Sequence, residues 1–147
     1  MTYTDSDDEK PEPDAVTADE AHVINEAARS LAITTARVAD AHHGSDIVAF
    51  HVGEVLGVAE YFVVMGASNR RLVRALVETI EEETRIATGQ SPIRVEGANE
   101  QSWVLIDYGD VIVHVFQTET REFYEIERLY KDVPRLDWKP EASDSPL

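Results

Sequence analysis

The chain has 147 residues, of which 43% are hydrophobic and 29% charged, enough for one domain with a real core and not for two. It contains no cysteine, which excludes disulfides, thiolate catalysis and cysteine-based zinc sites together. A formal net charge of −16 argues against contact with a phosphate backbone, which needs clustered lysine and arginine, and favours a basic partner.

The acidity is concentrated at the start, where residues 1–20 hold eight acids against Lys10. Residues 1–18 therefore read as a disordered acidic tail with too little apolar surface to fold. The opening MTYTDSDDEKPEPD is the opposite of a basic, apolar export signal, and no apolar run approaches the roughly 18 residues a membrane span needs. A cytoplasmic location with no membrane partner is expected.

Thr17 and Glu20 have the spacing of a capping box and open a long helix. Its apolar face is Ile24, Ala27, Ala28, Leu31, Thr35 and Val38, and Gly44 ends it. Residues 46–52 form a first strand and, after a loop over 53–57, residues 61–65 a second. Ser68 is placed to cap a helix that turns Leu72, Val73, Leu76, Val77, Ile80 and Ala87 to the sheet and stops at Gly89. A short third strand follows over 93–96, then a hairpin. Thr118 opens a last helix to about Lys131, with Phe123, Ile126, Leu129 and Tyr130 apolar. Past Pro134 the chain runs out to a disordered tail over 139–147. No internal repeat is visible. The order α-β-β-α-β-β-β-α predicts a mixed sheet with packed helices, an α/β or α+β domain spanning 19–138.

The hairpin carries the chemistry. Gly109-Asp110 suits a two-residue turn of the Gly-first kind. It pairs Asp107 with Ile112, Ile106 with Val113, Leu105 with His114 and Trp103 with Phe116. Alternation then puts Val104, Ile106, Tyr108, Val111, Val113 and Val115 on an almost wholly apolar face. The other face has Trp103, Leu105, Asp107, Ile112, His114 and Phe116. Asp107 and His114 become diagonal neighbours within side-chain reach. A carboxylate in so apolar a strand needs a partner, and a structural Asp107–His114 hydrogen bond is the expected one.

WVLIDYGDVIVHVFQ followed by TREFYEIERLY resembles the hairpin and closing helix of the ribosomal silencing factor (Iojap) family. DIVAFHV, YFVVMGAS and SNRRLVRALVETIEEE resemble the family's preceding elements in the same order, so the likeness covers about residues 19–138. It implies a small, non-enzymatic translational repressor that needs no cofactor. Such a protein docks on the large ribosomal subunit at the basic fourteenth large-subunit ribosomal protein and blocks subunit joining, with little direct RNA contact. It also implies a homodimer, a nucleotidyltransferase-like architecture, and, given the acidic start, the bacterial rather than the organelle-targeted form. By motif position the partner-binding residues are Trp103, Asp107, Tyr108 and Asp110, with His114 in support. For Tyr108 core packing is a competing expectation.

Two alternatives stand beside this reading, a metal-dependent nucleotidyltransferase and a ribosome-assembly adaptor. Nucleotidyl transfer needs carboxylates close together on one strand to hold magnesium, whereas Asp107 and Asp110 are separated by the turn. The turn Gly66-Ala67-Ser68-Asn69 has one glycine, and anion binding there is a weak expectation. Arg70 and Arg71 follow it in the first helical turn, where positive charge opposes the helix dipole. They are expected either to pair with acids of the same domain or to face a dimer partner. His42 and His43 diverge on a helix, and neither His22 nor His51 completes a metal-ligand spacing, so no metal is expected.

Overall fold

The computed structural model describes residues 17–139, so most of the expected N-terminal tail and all but one residue of the C-terminal one lie outside the described residues. In chain order they form helix α1 (Ala18–Ala41), strand β1 (Ser45–His51), the short helix α2 (Gly53–Leu56), β2 (Tyr61–Ala67) and α3 (Arg70–Thr88). Then come β3 (Arg94–Glu96), β4 (Trp103–Asp107), β5 (Val111–Gln117), α4 (Thr118–Tyr124), α5 (Ile126–Leu129) and β6 (Arg135–Leu136). The strands make one mixed sheet in the order β3-β4-β5-β2-β1-β6, in which β2 and β5 run parallel and every other pair antiparallel. This is an α+β domain, as the element order predicts.

Strand composition follows position in the sheet. Central β2, YFVVMGA, is buried along its whole length because both of its faces are covered. In β4, WVLID, buried residues alternate with half-buried ones, the mark of a strand covered on one face. The covered face meets α1 and α3 and forms the larger core, with Leu31, Met65, Leu76, Ile80 and Ile106 at its centre. A second core on the opposite face joins Phe50, Phe62, Val64 and Phe116 to Ile126, with Tyr130 and Val133 packed against it. The segment from α4 onward thus covers the β1–β2–β5 part of that face.

The expected hairpin register is observed pair for pair, and Tyr108 N–H donates to the Val111 carbonyl at 2.9 Å across the turn. Gly109 has φ +91°, a conformation that a Cβ would strain. Several expectations need correction. In α1 the buried stripe is Ala28, Leu31, Ala32, Thr35, Ala36 and Ala39, while Ala27 faces solvent. Small residues hold it because α1 lies close against the sheet and α3. The Glu20 half of the capping box, like the side chains of Ile24 and His22, lies outside the described side chains. Residues 53–56 are a short helix rather than a loop, ended by Gly57 at φ +74°.

The cap of α3 is Asn69, not Ser68. Its Oδ1 accepts the Leu72 N–H at 2.8 Å, and Gly89 at φ +78° ends the helix where expected. Ala87 is exposed, and Thr84 takes the buried place one turn earlier. The last helix is split by Glu125 at φ +48°, which turns Ile126 into the core beyond the break; Leu129 after it and Phe123 before it are exposed. Beyond Pro134 the chain is not yet a tail. β6 pairs with β1, and Trp138 is buried with its indole N–H donating to the Ile47 carbonyl at 3.2 Å. Arg37 holds this strap, its Nε donating to the Trp138 carbonyl at 2.8 Å.

Candidate functional site

The second face of the sheet is covered over β1, β2 and β5 and left half open over β4 and the edge strand β3. Trp103, Leu105, Asp107 and Ile112 are all partly exposed there, and pairing brings Arg94 and Glu96 of β3 to the same face. An apolar row is therefore bordered by charges. Asymmetry of cover, with one half of the face sealed by α4 and α5, is what creates it.

Trp103 sits at one end of this row. Its ring stacks on Phe116 at 4.6 Å between centroids and packs against Tyr124 at 5.1 Å. Tyr124 in turn meets Phe123 edge-on at 4.9 Å, and Phe123 is 77% exposed. A cleft of about 480 Å³ lies against these rings, walled by Trp103, Phe123 and Tyr124 with the acids Glu100 and Glu119. Phe123 and Tyr124 were not expected in the site. Phe123 lies on the side of α4 away from Arg121, the buried residue of that helix, and no feature of the sequence announces that orientation or the break at Glu125.

Asp107 lies at the other end, and its partners are not those expected. Oδ1 accepts the Gly109 N–H at 2.8 Å, and Oδ2 pairs with Arg94 Nε at 3.2 Å. The predicted Asp107–His114 bond is absent because a carboxylate two residues before the turn glycine finds that backbone donor locally, without the longer diagonal reach. His114 bonds Trp103 instead, its Nδ1 accepting the indole Nε1–H at 3.2 Å. His114 is buried against Phe62, at 4.5 Å between rings, and burial pushes its pKa down to about 4. Its ring is therefore neutral at neutral pH.

Asp110 is exposed at the tip of the turn, and its carbonyl accepts the N–H groups of Glu60 and Tyr61 at 2.8 and 3.1 Å. Tyr108 does not share the open face. It is buried on the helix side, as the competing expectation had it, and burial pushes its phenol up to about 12. Neither its hydroxyl nor the buried Thr84 hydroxyl has a partner in hydrogen-bonding geometry among the described residues.

Arg70 and Arg71 are exposed at the start of α3, on a cleft of about 600 Å³ that Gln117, Thr118 and Glu119 also line. Neither forms an ion pair among the described residues. Among the described residues the buried cation is Arg121, which sequence alone did not single out. Its guanidinium donates to the carbonyls of Ser45 and Asp46 at 3.2 and 2.6 Å and pairs with Glu127 at 2.7 Å. Burial alone would raise the Glu127 carboxyl, but the bond and charge of Arg121 outweigh it and hold the group below its ordinary value. His42 and His51 pair with Glu83 and Glu60 at 3.0 and 3.2 Å, and no metal-holding cluster of His, Asp or Glu occurs among the described residues.

An apolar, aromatic-ended strip rimmed by charge has the layout of a protein contact surface. Comparison with known proteins gives the class. The family described as "Ribosomal silencing factor during starvation" matches residues 25–146. The ribosomal silencing factor of Bacillus subtilis is 32% identical over 109 residues, which is 74% of this chain and 92% of that protein. A mouse protein named for mitochondrial assembly of the ribosomal large subunit is 28% identical over 58% of this chain and 38% of its own. A crystal structure of a Chromobacterium violaceum protein shares the fold at a TM-score of 0.66 and 23% identity, covering 79% of this chain and 95% of that one. The chain belongs to the ribosomal silencing factor family.

Proposed function

We propose that this protein is a cytoplasmic translational repressor that docks on the large ribosomal subunit and blocks subunit joining by occupancy alone. The contact is the open half-face anchored by Trp103, and the partner is the basic fourteenth large-subunit ribosomal protein that the resemblance implies. One observation carries the reading. In a chain of net charge −16, a half-buried tryptophan backed by Phe116 and Tyr124 stands between Glu100 and Glu119 on one side and a strip ending at Asp107 and Asp110 on the other. Such rigid aromatic anchors concentrate binding energy, and the surrounding acids suit lysine and arginine rather than RNA phosphate. Tyr108 contributes from behind, by packing into the helix-side core beneath the hairpin.

A blocker needs affinity and bulk, so no catalytic group has to be found and no cofactor is required. The nucleotidyltransferase alternative finds little support, since Asp107 is already engaged by Gly109 and Arg94. The assembly-adaptor alternative draws on the name of the mouse relative and shares the docking step. We also propose a homodimer, with Arg70 and Arg71, which form no ion pair among the described residues, facing the second copy. A strict monomer in light scattering at high micromolar concentration contradicts that part.

The docking step is tested with Trp103→Ala. Titrated against the isolated ribosomal protein, the variant is expected to bind more weakly by about 2 kcal/mol while remaining folded, a typical anchor cost. Undiminished binding by the folded variant removes Trp103 from the contact.

A further inference from the structure

We propose that His114 is a positioning residue for the docking anchor, accepting the Trp103 indole N–H so that the ring is held in one orientation before a partner arrives. The proposal rests on the docking reading above and assigns that face its means of pre-organisation. Trp103 opens β4, beside the sheet edge, and is only partly covered. Contacts with Phe116 and Tyr124 confine the ring, and a hydrogen bond at its polar end selects one orientation among those that such apolar packing permits. The tie is the 3.2 Å bond to His114 Nδ1, while Phe116 supports the ring face.

The cost of this arrangement points to its use. Accepting at Nδ1 places the ring hydrogen on Nε2, and that nitrogen is buried with no hydrogen-bond partner among the described residues. A buried donor without an acceptor destabilises a fold. The neighbouring β5 residues Ile112, Val113, Val115 and Phe116 are all apolar, and an apolar residue at position 114 would fill the space against Phe62 without that penalty. It could not accept the indole hydrogen. Burial also keeps the ring neutral, the form that leaves Nδ1 free to accept.

A purely structural histidine and a positioning one make different predictions. His114→Leu removes both the tie and the orphaned donor. The full-length variant is expected to unfold at the same or a higher denaturant concentration than the wild type, yet to bind the isolated ribosomal protein about tenfold more weakly. His114→Asn keeps an acceptor near the Nδ1 position and is expected to restore most of the binding. The chain has two tryptophans, so a proton–nitrogen NMR spectrum of the free protein reports both indole N–H groups separately. The Trp103 signal should move or broaden in His114→Leu, return toward its wild-type position in His114→Asn, and leave Trp138 unaffected in both.

If the wild type binds and His114→Leu binds equally well, or leaves the Trp103 signal in place, the assignment of His114 falls and the docking face stands. Equal weakening by both variants with an unmoved Trp103 signal also overturns it. If the wild type itself does not bind, the docking reading falls and takes this role with it, whatever the indole signals show.

Discussion

At the scale of single residues, the two carboxylates of the hairpin separate surface charge from structure. Asp110 is exposed with no side-chain partner among the described residues, whereas Asp107 holds the Gly109 N–H and Arg94. Asp110→Lys should therefore lower affinity for a basic partner through charge alone, an effect that shrinks as salt is raised. Asp107→Lys should lower it further and also cost about 1 kcal/mol of stability, since the turn loses a hydrogen bond. Binding titrations at two salt concentrations, paired with denaturation curves, check both; unchanged affinity for both reversals removes the carboxylates from the contact. His114 gives a pH dependence. Its folded pKa is about 4 against 6.5 for an exposed histidine, so on acidification the unfolded chain takes up the proton first. Its contribution is complete above pH 6.5 and is lost between pH 6.5 and 4, by about 3 kcal/mol. Denaturation of wild type and His114→Asn across that range should show the extra slope only in the wild type, and parallel curves contradict the buried, neutral histidine. The importance of position 114 was legible from alternation, but its partner was not. Pattern places Asp107 and Trp103 both within reach, and only the turn's demand for a local acceptor decides which one His114 meets.

At the scale of elements, the β4–β5 hairpin was legible to the residue pair because period-2 burial and a Gly-Asp turn leave one register that keeps Val104, Ile106, Val113 and Val115 inside. Helix α3 was legible in extent, since Gly89 stops it and its apolar stripe is continuous. The C-terminal strap was not. A two-residue strand has no period to read, and Arg135–Leu136 followed by Asp137 looks like the start of an acidic tail. Trp138 nevertheless closes the core beneath α1, tied to Ile47 by its indole and to Arg37 by its carbonyl. Trp138→Ala should thus cost about 3 kcal/mol or more, in the range of buried aromatic truncations, with β6 lost from the sheet edge. Chemical denaturation and amide exchange of β1 check this, and a change under 1 kcal/mol contradicts the role of the strap. The open half of the sheet was hidden for a related reason. It depends on where the last helix breaks, and Glu125 in a left-handed conformation is a choice of tertiary packing rather than of local propensity.

At the scale of the molecule, charge and shape lead to the same surface. A chain of net charge −16 leaves one side of its sheet half covered, ends that strip with stacked aromatics and places acids around it. A domain of this size can obstruct a ribosomal interface without reacting with anything, and it then has to be on the large subunit when the small one arrives. Sucrose-gradient sedimentation of purified subunits, mixed with and without the protein, tests this most directly. The account predicts that the protein travels with the large subunit and that the joined ribosome peak falls as protein is added, with Trp103→Ala failing to produce either effect. Joining that proceeds unhindered while the protein saturates the large subunit, or migration with the small subunit instead, would contradict it.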